Sequence, residues 1–153
     1  MADEFATCAQ AMDYLARALP RATAQNPKYT AAGDGAVSQW LTDEASFSTD
    51  AEGAVTVTMR ESYTVSKGGK TTPGAHEASF SLADVEIADF TAPHDLAPDG
   101  APARGIIFTC AKPHCIAARW SGAPSRADKS DIYIQDPATR AKILAAFRRL
   151  QSP

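Results

Sequence analysis

The chain has 153 residues, 44% of them hydrophobic and 22% charged, with a formal net charge of −3. A chain of this length buries roughly 70% of the surface its unfolded form exposes, so one hydrophobic core is expected and neither wholesale disorder nor a fibrous repeat fits the composition. Lys and Arg are scattered rather than massed, which argues against nucleic acid as a partner, because that binding needs a basic stripe. Apolar runs such as "GIIF" at 105–108 fall far short of the roughly 20 residues of a membrane span. The opening "MADEFATCAQ" is acidic with no basic-then-apolar leader, so no secretory signal is expected in it; a leader removed and replaced by a start Met reads the same way.

The first expected element is a helix over "DEFATCAQAMDYLARALPRA". Phe5, Cys8, Met12, Leu15 and Leu19 fall at alternating steps of three and four on one face, and the helix is expected to end before Pro20. Cys8 lies on that buried stripe. Residues 21–43, punctuated by Pro, Gly and Asn, read as a connector whose patch "VSQWL" pins Trp40 to the core. Next, "EASFSTDAEGAVTVTMRESYTVS" reads as two strands around an Asp-Ala-Glu-Gly turn, with Gly53 supplying a positive φ. Val55, Val57, Met59, Tyr63 and Val65 alternate with polar residues, and Glu61 is the one charge in the apolar row.

After a flexible "KGGKTTP", the run "GAHEASFSLADVEIADF" alternates again at His76, Ala78, Phe80 and Leu82. Pairing Val57 with Leu82 and Met59 with Phe80 sets apolar against apolar, and places Glu61 opposite Ala78 and Tyr63 opposite His76. "VEIADF" reads as a further strand. Residues 91–105, with three prolines, read as a long solvated loop. Beyond lie the strands "IIFTC" and "CIAARW", a second polar loop "SGAPSRADKS", and a last strand "DIYIQ". The closing "DPATRAKILAAFRRLQ" is a helix capped by Asp136, with Pro137 in its first turn and Ile143, Leu144, Phe147 and Leu150 on its apolar face. Arg140, Lys142, Arg148 and Arg149 read as its solvated face, the last two suiting its negative end.

The segment "SDIYIQDPATRAKILAAFRRL" runs from a strand through an Asp-Pro cap straight into this helix. Seven short strands followed at once by an amphipathic helix resemble, by element order, the pleckstrin-homology-like superfold. The resemblance covers residues 44–151 and implies an α+β fold: an N-terminal helix, about seven antiparallel strands forming a twisted, partly open barrel, and a C-terminal amphipathic helix closing one end. Residues 1–153 then form a single domain, with 1–43 as added helix and connector. Members of that superfold mostly bind peptides, proteins or inositol phospholipids, and the lipid binders place Lys and Arg in the first strand loop. Here that loop is the acidic "DAEG", so phosphoinositide binding is not expected. A helix-grip fold around an apolar ligand is the alternative architecture.

Three cysteines leave at least one free thiol. In "CAKPHC", a four-residue loop between two strands sets Cys110 and Cys115 opposite each other across a hairpin, and a disulfide is the expected state in an oxidising compartment. A redox pair of the thioredoxin kind needs Cys-x-x-Cys at a helix N-terminus, and a zinc site from Cys110, His114 and Cys115 with His94 does not match the usual ligand spacing. The localisation follows the cysteines: a bacterial cell envelope or periplasm if they are oxidised, the cytoplasm otherwise. Glu61, Tyr63 and His76 form the one polar cluster on the apolar face. A buried Glu beside a His is a possible acid and base, but the stronger reading is structural, with Glu61 reaching out to water at a strand end and His76 covering a neighbouring ring. No Gly-x-Ser-x-Gly, phosphate-binding glycine loop or His-Glu-x-x-His occurs.

The expectation is therefore a non-enzymatic binding module that recruits a protein or peptide, with no cofactor and no metal. The alternative is a carrier of a small apolar ligand in a helix-grip cavity. Val57, Met59, Phe80, Leu82, Phe147 and Leu150 are expected to share one core, so Met59→Ala or Phe147→Ala should each cost about 2 to 5 kcal/mol in chemical denaturation. A loss below about 0.5 kcal/mol at both positions would show the periodicity to be misread.

Overall fold

The computed structural model describes residues 4–152. Helices α1 (Cys8–Gln25) and α2 (Pro137–Gln151) stand at the two ends of the chain. Between them run β1 (Lys28–Ala31), β2 (Val37–Thr49), β3 (Val55–Lys67), β4 (Lys70–Ser81), a 3-10 turn (Leu82–Asp84), β5 (Val85–Leu96), β6 (Pro102–Cys110), β7 (Ile116–Trp120), β8 (Ala123–Ala127) and β9 (Lys129–Tyr133). The strands make one antiparallel sheet in the order β8-β7-β4-β3-β2-β1-β5-β6-β9, which is not closed by a ladder between its edges. The class is α+β as expected, but the strands number nine, not seven.

Both additional strands occupy expected loops. β1 and the first half of β2 lie in residues 21–43, so that stretch is sheet rather than connector. β8 lies in "SGAPSRADKS". There Ser121 and Gly122, at φ of 50° and 88°, turn the chain so that Ala123 pairs with Trp120, and positive φ at both centres is what a tight two-residue hairpin turn requires. The supposed loop at 91–105 is also largely strand. Its cause is a second small core, in which Ala92, Ala97 and Ala103 pack around Tyr29 with Phe90 and Tyr133 alongside; alanine carries little strand signal of its own.

α1 begins at Cys8 under a capping box, the Thr7 hydroxyl accepting from the Gln10 N–H and the Gln10 carboxamide oxygen accepting from the Thr7 N–H. Contrary to expectation it continues through Pro20. Leu19, Ala22 and Thr23 are buried around the proline. The Thr23 hydroxyl donates to the Leu19 carbonyl at 3.0 Å and accepts from the Thr42 N–H of β2 at 2.9 Å. Packing of this last turn offsets the hydrogen bond and the clash that an internal proline costs a helix.

The β3–β4 register differs from expectation by two residues. Val57 opposes Phe80, Met59 opposes Ala78, Glu61 opposes His76 and Tyr63 opposes Gly74. The reason is the turn: Gly68 and Gly69, at φ of 59° and 80°, close a two-residue hairpin between Lys67 and Lys70, so "KGGKTTP" is tight turn and strand rather than a flexible loop. A shift of two keeps every side chain on its face and changes only its partners. β2 carries a bulge at Asp43, where Thr42 opposes Glu61 but Glu44 opposes Arg60. The bulge reverses the alternation, so Trp40 and Thr42 share the inner face with Ala45 and Phe47.

That inner face and both helices enclose the main core. Leu15 and Leu19 of α1 and Ile143, Phe147 and Leu150 of α2 are buried with Val57, Met59, Phe80, Leu82 and Phe108. The Phe108 ring touches Phe147 edge-on at 4.9 Å and Phe80 at 5.1 Å. Lys142 and Arg148 are exposed on the expected solvated face, whereas Arg140 corrects it. Arg140 is buried, donating to Asp89 and to the carbonyls of Ile134 and Gln135. Arg148 reaches the Ile87 carbonyl, and Arg149 those of Phe5 and Ala6. These guanidiniums tie α2 to β5, to the segment after β9 and to the segment before α1.

Cys110 and Cys115 are bonded, with Cα atoms 5.7 Å apart, but not across a hairpin. β6 pairs with β5 and β9, β7 with β4 and β8, so residues 111–115 carry the chain from one flank of the sheet to the other. The run 123–133 spans the same gap, with only Asp128 between β8 and β9. Asp128 ties the crossing together: its carbonyl accepts from the Cys110 N–H at 2.8 Å and its carboxylate from the His114 N–H at 2.7 Å. Cys8 is free and half-buried. Thiol counting on denatured, unreduced protein should therefore give one reactive thiol per chain, and replacing both bonded cysteines by serine should cost about 2 kcal/mol for the short loop released. Three reactive thiols, or a peptide linking Cys8 to either partner, would contradict the pairing.

Candidate binding site

The inner row of β3 changes character halfway along. Val55, Val57 and Met59 enter the main core, whereas Glu61 and Tyr63 stand beyond it. Glu61 is only 6% exposed and does not reach out to water. The corrected register sets His76 directly opposite, and Nδ1 of His76 lies 3.0 Å from Oε1 of Glu61. Burial pushes the Glu61 carboxyl above the usual carboxylate range, an effect that the bond to His76 opposes.

Four rings gather at this end. Trp40 stacks on Tyr63 with centroids 4.6 Å apart, and Tyr63 lies over Gly74, where any Cβ would collide with its ring. His76 packs on Trp120 at 4.2 Å. The two indole planes stand at 86° with centroids 6.1 Å apart. Trp120 is 45% exposed, an unusual amount for an indole with three aromatic neighbours.

Beside the rings lies a cavity of about 370 Å³, lined from β2, β3, β4, β5, β7, β8 and β9. The sheet therefore curls far enough for both of its edges to meet at one site. Apolar floor comes from Ile116, Ala118 and Ile132, and the indoles form one wall. Glu61, Asp95 and Asp131 contribute carboxylates, Lys129 an ammonium, and Ser38 and Ser130 hydroxyls. The Tyr133 hydroxyl donates to Asp95 at 2.6 Å; burial first, and that bond second, push its own pKa up.

Asp131 has no hydrogen bond to its carboxylate among the described residues. Its carboxyl is pushed from an ordinary 3.8 to about 6, chiefly by the protein surrounding it, then by the charges of Glu61 and Asp95; Lys129 and His76 act the other way. The side chain is nevertheless open to solvent in a concave wall, where water screens these charges. A wider depression of about 700 Å³ lies beside α2, lined by Glu4, Phe5, Arg148 and Arg149 among others. Its arginines are already bonded to backbone carbonyls and it adjoins the chain terminus, so it offers fewer free groups.

Of the residues singled out in the sequence, Glu61 and His76 form part of the cavity wall, and Tyr63 supports it from behind Trp40. Cys110 and Cys115 lie outside it, and their sulfurs are taken up by each other. Trp40, Trp120, Asp95 and Asp131 were missed. The first two carried a signal, being the only tryptophans in the chain; the two aspartates sat in runs that read as ordinary loop and strand. Chemically, Glu61 and His76 can share a proton, and neither Ser38 nor Ser130 is hydrogen-bonded to His76. Comparison with protein-family models, curated proteins and solved structures finds no match to the chain.

A carboxyl whose pKa rises on folding holds its proton more tightly in the folded chain. The Asp131 contribution therefore favours the fold fully below 3.8 and is lost as pH rises through about 6. Asp131→Asn should stabilise the protein at about pH 7.5 by on the order of 1 kcal/mol, a value reduced for solvent exposure, and leave stability near pH 4 unchanged. Urea denaturation of both proteins at the two pH values checks this.

Proposed function

We propose that the protein is a non-catalytic binding domain that takes a small ligand into the cavity bounded by Trp40, Trp120 and β9. The observation that carries this reading is the cavity itself. Its volume of about 370 Å³ lies within the range of about 300–1,000 Å³ for ligand pockets. It joins an apolar floor to a few convergent polar groups, the usual composition of a ligand site. Of the two functions expected from the sequence, this is closer to the ligand carrier, with one change: carboxylates on the wall do not suit a wholly apolar guest, which would strip them of water without replacing it.

Recruitment of a protein or peptide by strand addition has less support. The edge strand β8 is five residues long and contains Pro124, and β9 is equally short with Lys129 and Asp131 on it; short, charged or proline-bearing edges discourage an added strand. The resemblance to pleckstrin-homology-like barrels implies binding rather than catalysis, in keeping with this reading, though a fold does not assign a ligand. The disulfide at the β6–β7 crossing suits an oxidising compartment such as a cell envelope or periplasm.

The test is a fragment library with equal numbers of neutral, anionic and cationic members, screened by ligand-observed NMR against the wild type and Ala118→Leu. Ala118 is 3% exposed on the cavity floor, and the larger side chain fills the space. Fragments that bind the wild type and are lost in a folded Ala118→Leu support the reading. A library in which no fragment distinguishes the two proteins would overturn it.

A further inference from the structure

We propose that the cavity binds an organic cation, whose alkylammonium group sits in the corner between Trp40 and Trp120 and faces the carboxylates of Asp131, Glu61 and Asp95. The inference rests on the cavity being a ligand site, and adds the chemical class of the ligand.

The first argument is the shape of the aromatic wall. Two indoles meet edge to face at 86° with centroids 6.1 Å apart, both line the cavity, and Trp120 keeps 45% of its surface exposed. A cation within about 6 Å of a ring centroid is attracted by the negative face of the ring, and tryptophan is the strongest partner. Both rings are held in place by their supports. Tyr63 stacks on one face of Trp40 and is itself seated over Gly74, which fixes the Trp40 ring in the cavity wall. Trp120 rests on His76, which the bond to Glu61 fixes.

The second argument is charge. Three carboxylates line one small cavity, and the ammonium of Lys129 is the single permanent cation on its wall. Lys129 makes no ion pair with any of them among the described residues, whose bridges involve other groups. Asp95 is held by Tyr133 and Glu61 by His76, both uncharged donors unless the imidazole is protonated. An anion would meet repulsion from the carboxylates, and an apolar guest would dehydrate them without compensation. A cation relieves the repulsion and uses the ring faces at once.

Asp131 is faced by Glu61 of β3, His76 of β4, Asp95 of β5 and Lys129 of its own strand. Binding should therefore weaken as pH falls through about 6, where Asp131 takes up its proton.

Trp40 and Trp120 are the only tryptophans of the chain, so all indole emission reports on the proposed wall. The experiment titrates the intact protein with choline and with its uncharged isostere, in which carbon replaces the quaternary nitrogen, following that emission. Choline should bind at least about tenfold more tightly than the isostere. The preference should shrink in Asp131→Asn and in Trp120→Ala, and with added salt. If the isostere binds as tightly as choline, or Asp131→Asn keeps the full preference, the cation assignment is overturned while the cavity reading stands. If neither probe binds but neutral or anionic fragments are lost in Ala118→Leu, the assignment again fails alone. If no probe or fragment separates the wild type from Ala118→Leu, both readings fail.

Discussion

The two-residue turn at Gly68 and Gly69 is the constraint on which the polar end of this protein depends. Both glycines hold positive φ, which makes the β3–β4 connection as short as a hairpin allows and fixes the register along the whole ladder. Fixed in that way, Glu61 meets His76 and Tyr63 meets Gly74. A longer loop would let β4 slip by two, bury the same faces, and set Glu61 against Ala78 and the Tyr63 ring against an imidazole. The sheet and main core would survive that slip; the Glu61–His76 bond and the ring seated over a glycine would not.

The interior is divided by what fills it. α1 and α2 supply Leu15, Leu19, Ile143, Phe147 and Leu150 to one part of the inner face, where they close on Met59, Phe80 and Phe108. The remaining part, from Glu61 outward, is covered by aromatic rings and by the far edges of the sheet. Those edges come together because chain 123–133 pairs first with β7 and then with β6, turning at Asp128, while the disulfide bonds the strands' ends at the same corner. The disulfide is thus placed where it holds the curl of the sheet. Gly105 contributes to the same closure, since a Cβ there would strike the Ile132 backbone of β9.

Burying an acid beside rings costs stability, and the raised carboxyl of Glu61 records that cost. Elsewhere in the molecule buried charge is compensated: Arg140, as deeply buried as Glu61, has a carboxylate and two carbonyls as partners. Asp131, by contrast, has no hydrogen bond to its carboxylate among the described residues and is open to solvent.

Much of the architecture was legible in residue order, because the helix and strand periods are local properties. The stripe of Leu15 and Leu19, the Asp136–Pro137 start of α2, the alternation through Met59 and the proximity of Cys110 to Cys115 all follow from spacing along the chain. The alternation also brought Glu61, Tyr63 and His76 together on one face, although with the wrong partners, since a two-residue shift leaves the pattern unchanged. What the tertiary structure decided is everything that depends on where the chain folds back. Pro20 sits within a helix because β2 packs on the turn beyond it, and residues 91–105 are largely strand because alanines fit a crowded small core. Trp40 faces inward because of a bulge at Asp43 that has no signature in composition. Asp95 and Asp131 join Glu61 in one cavity only because the sheet curls, and that curl arises from long-range pairing of β6 with β9 and β7 with β8, which no window of sequence contains.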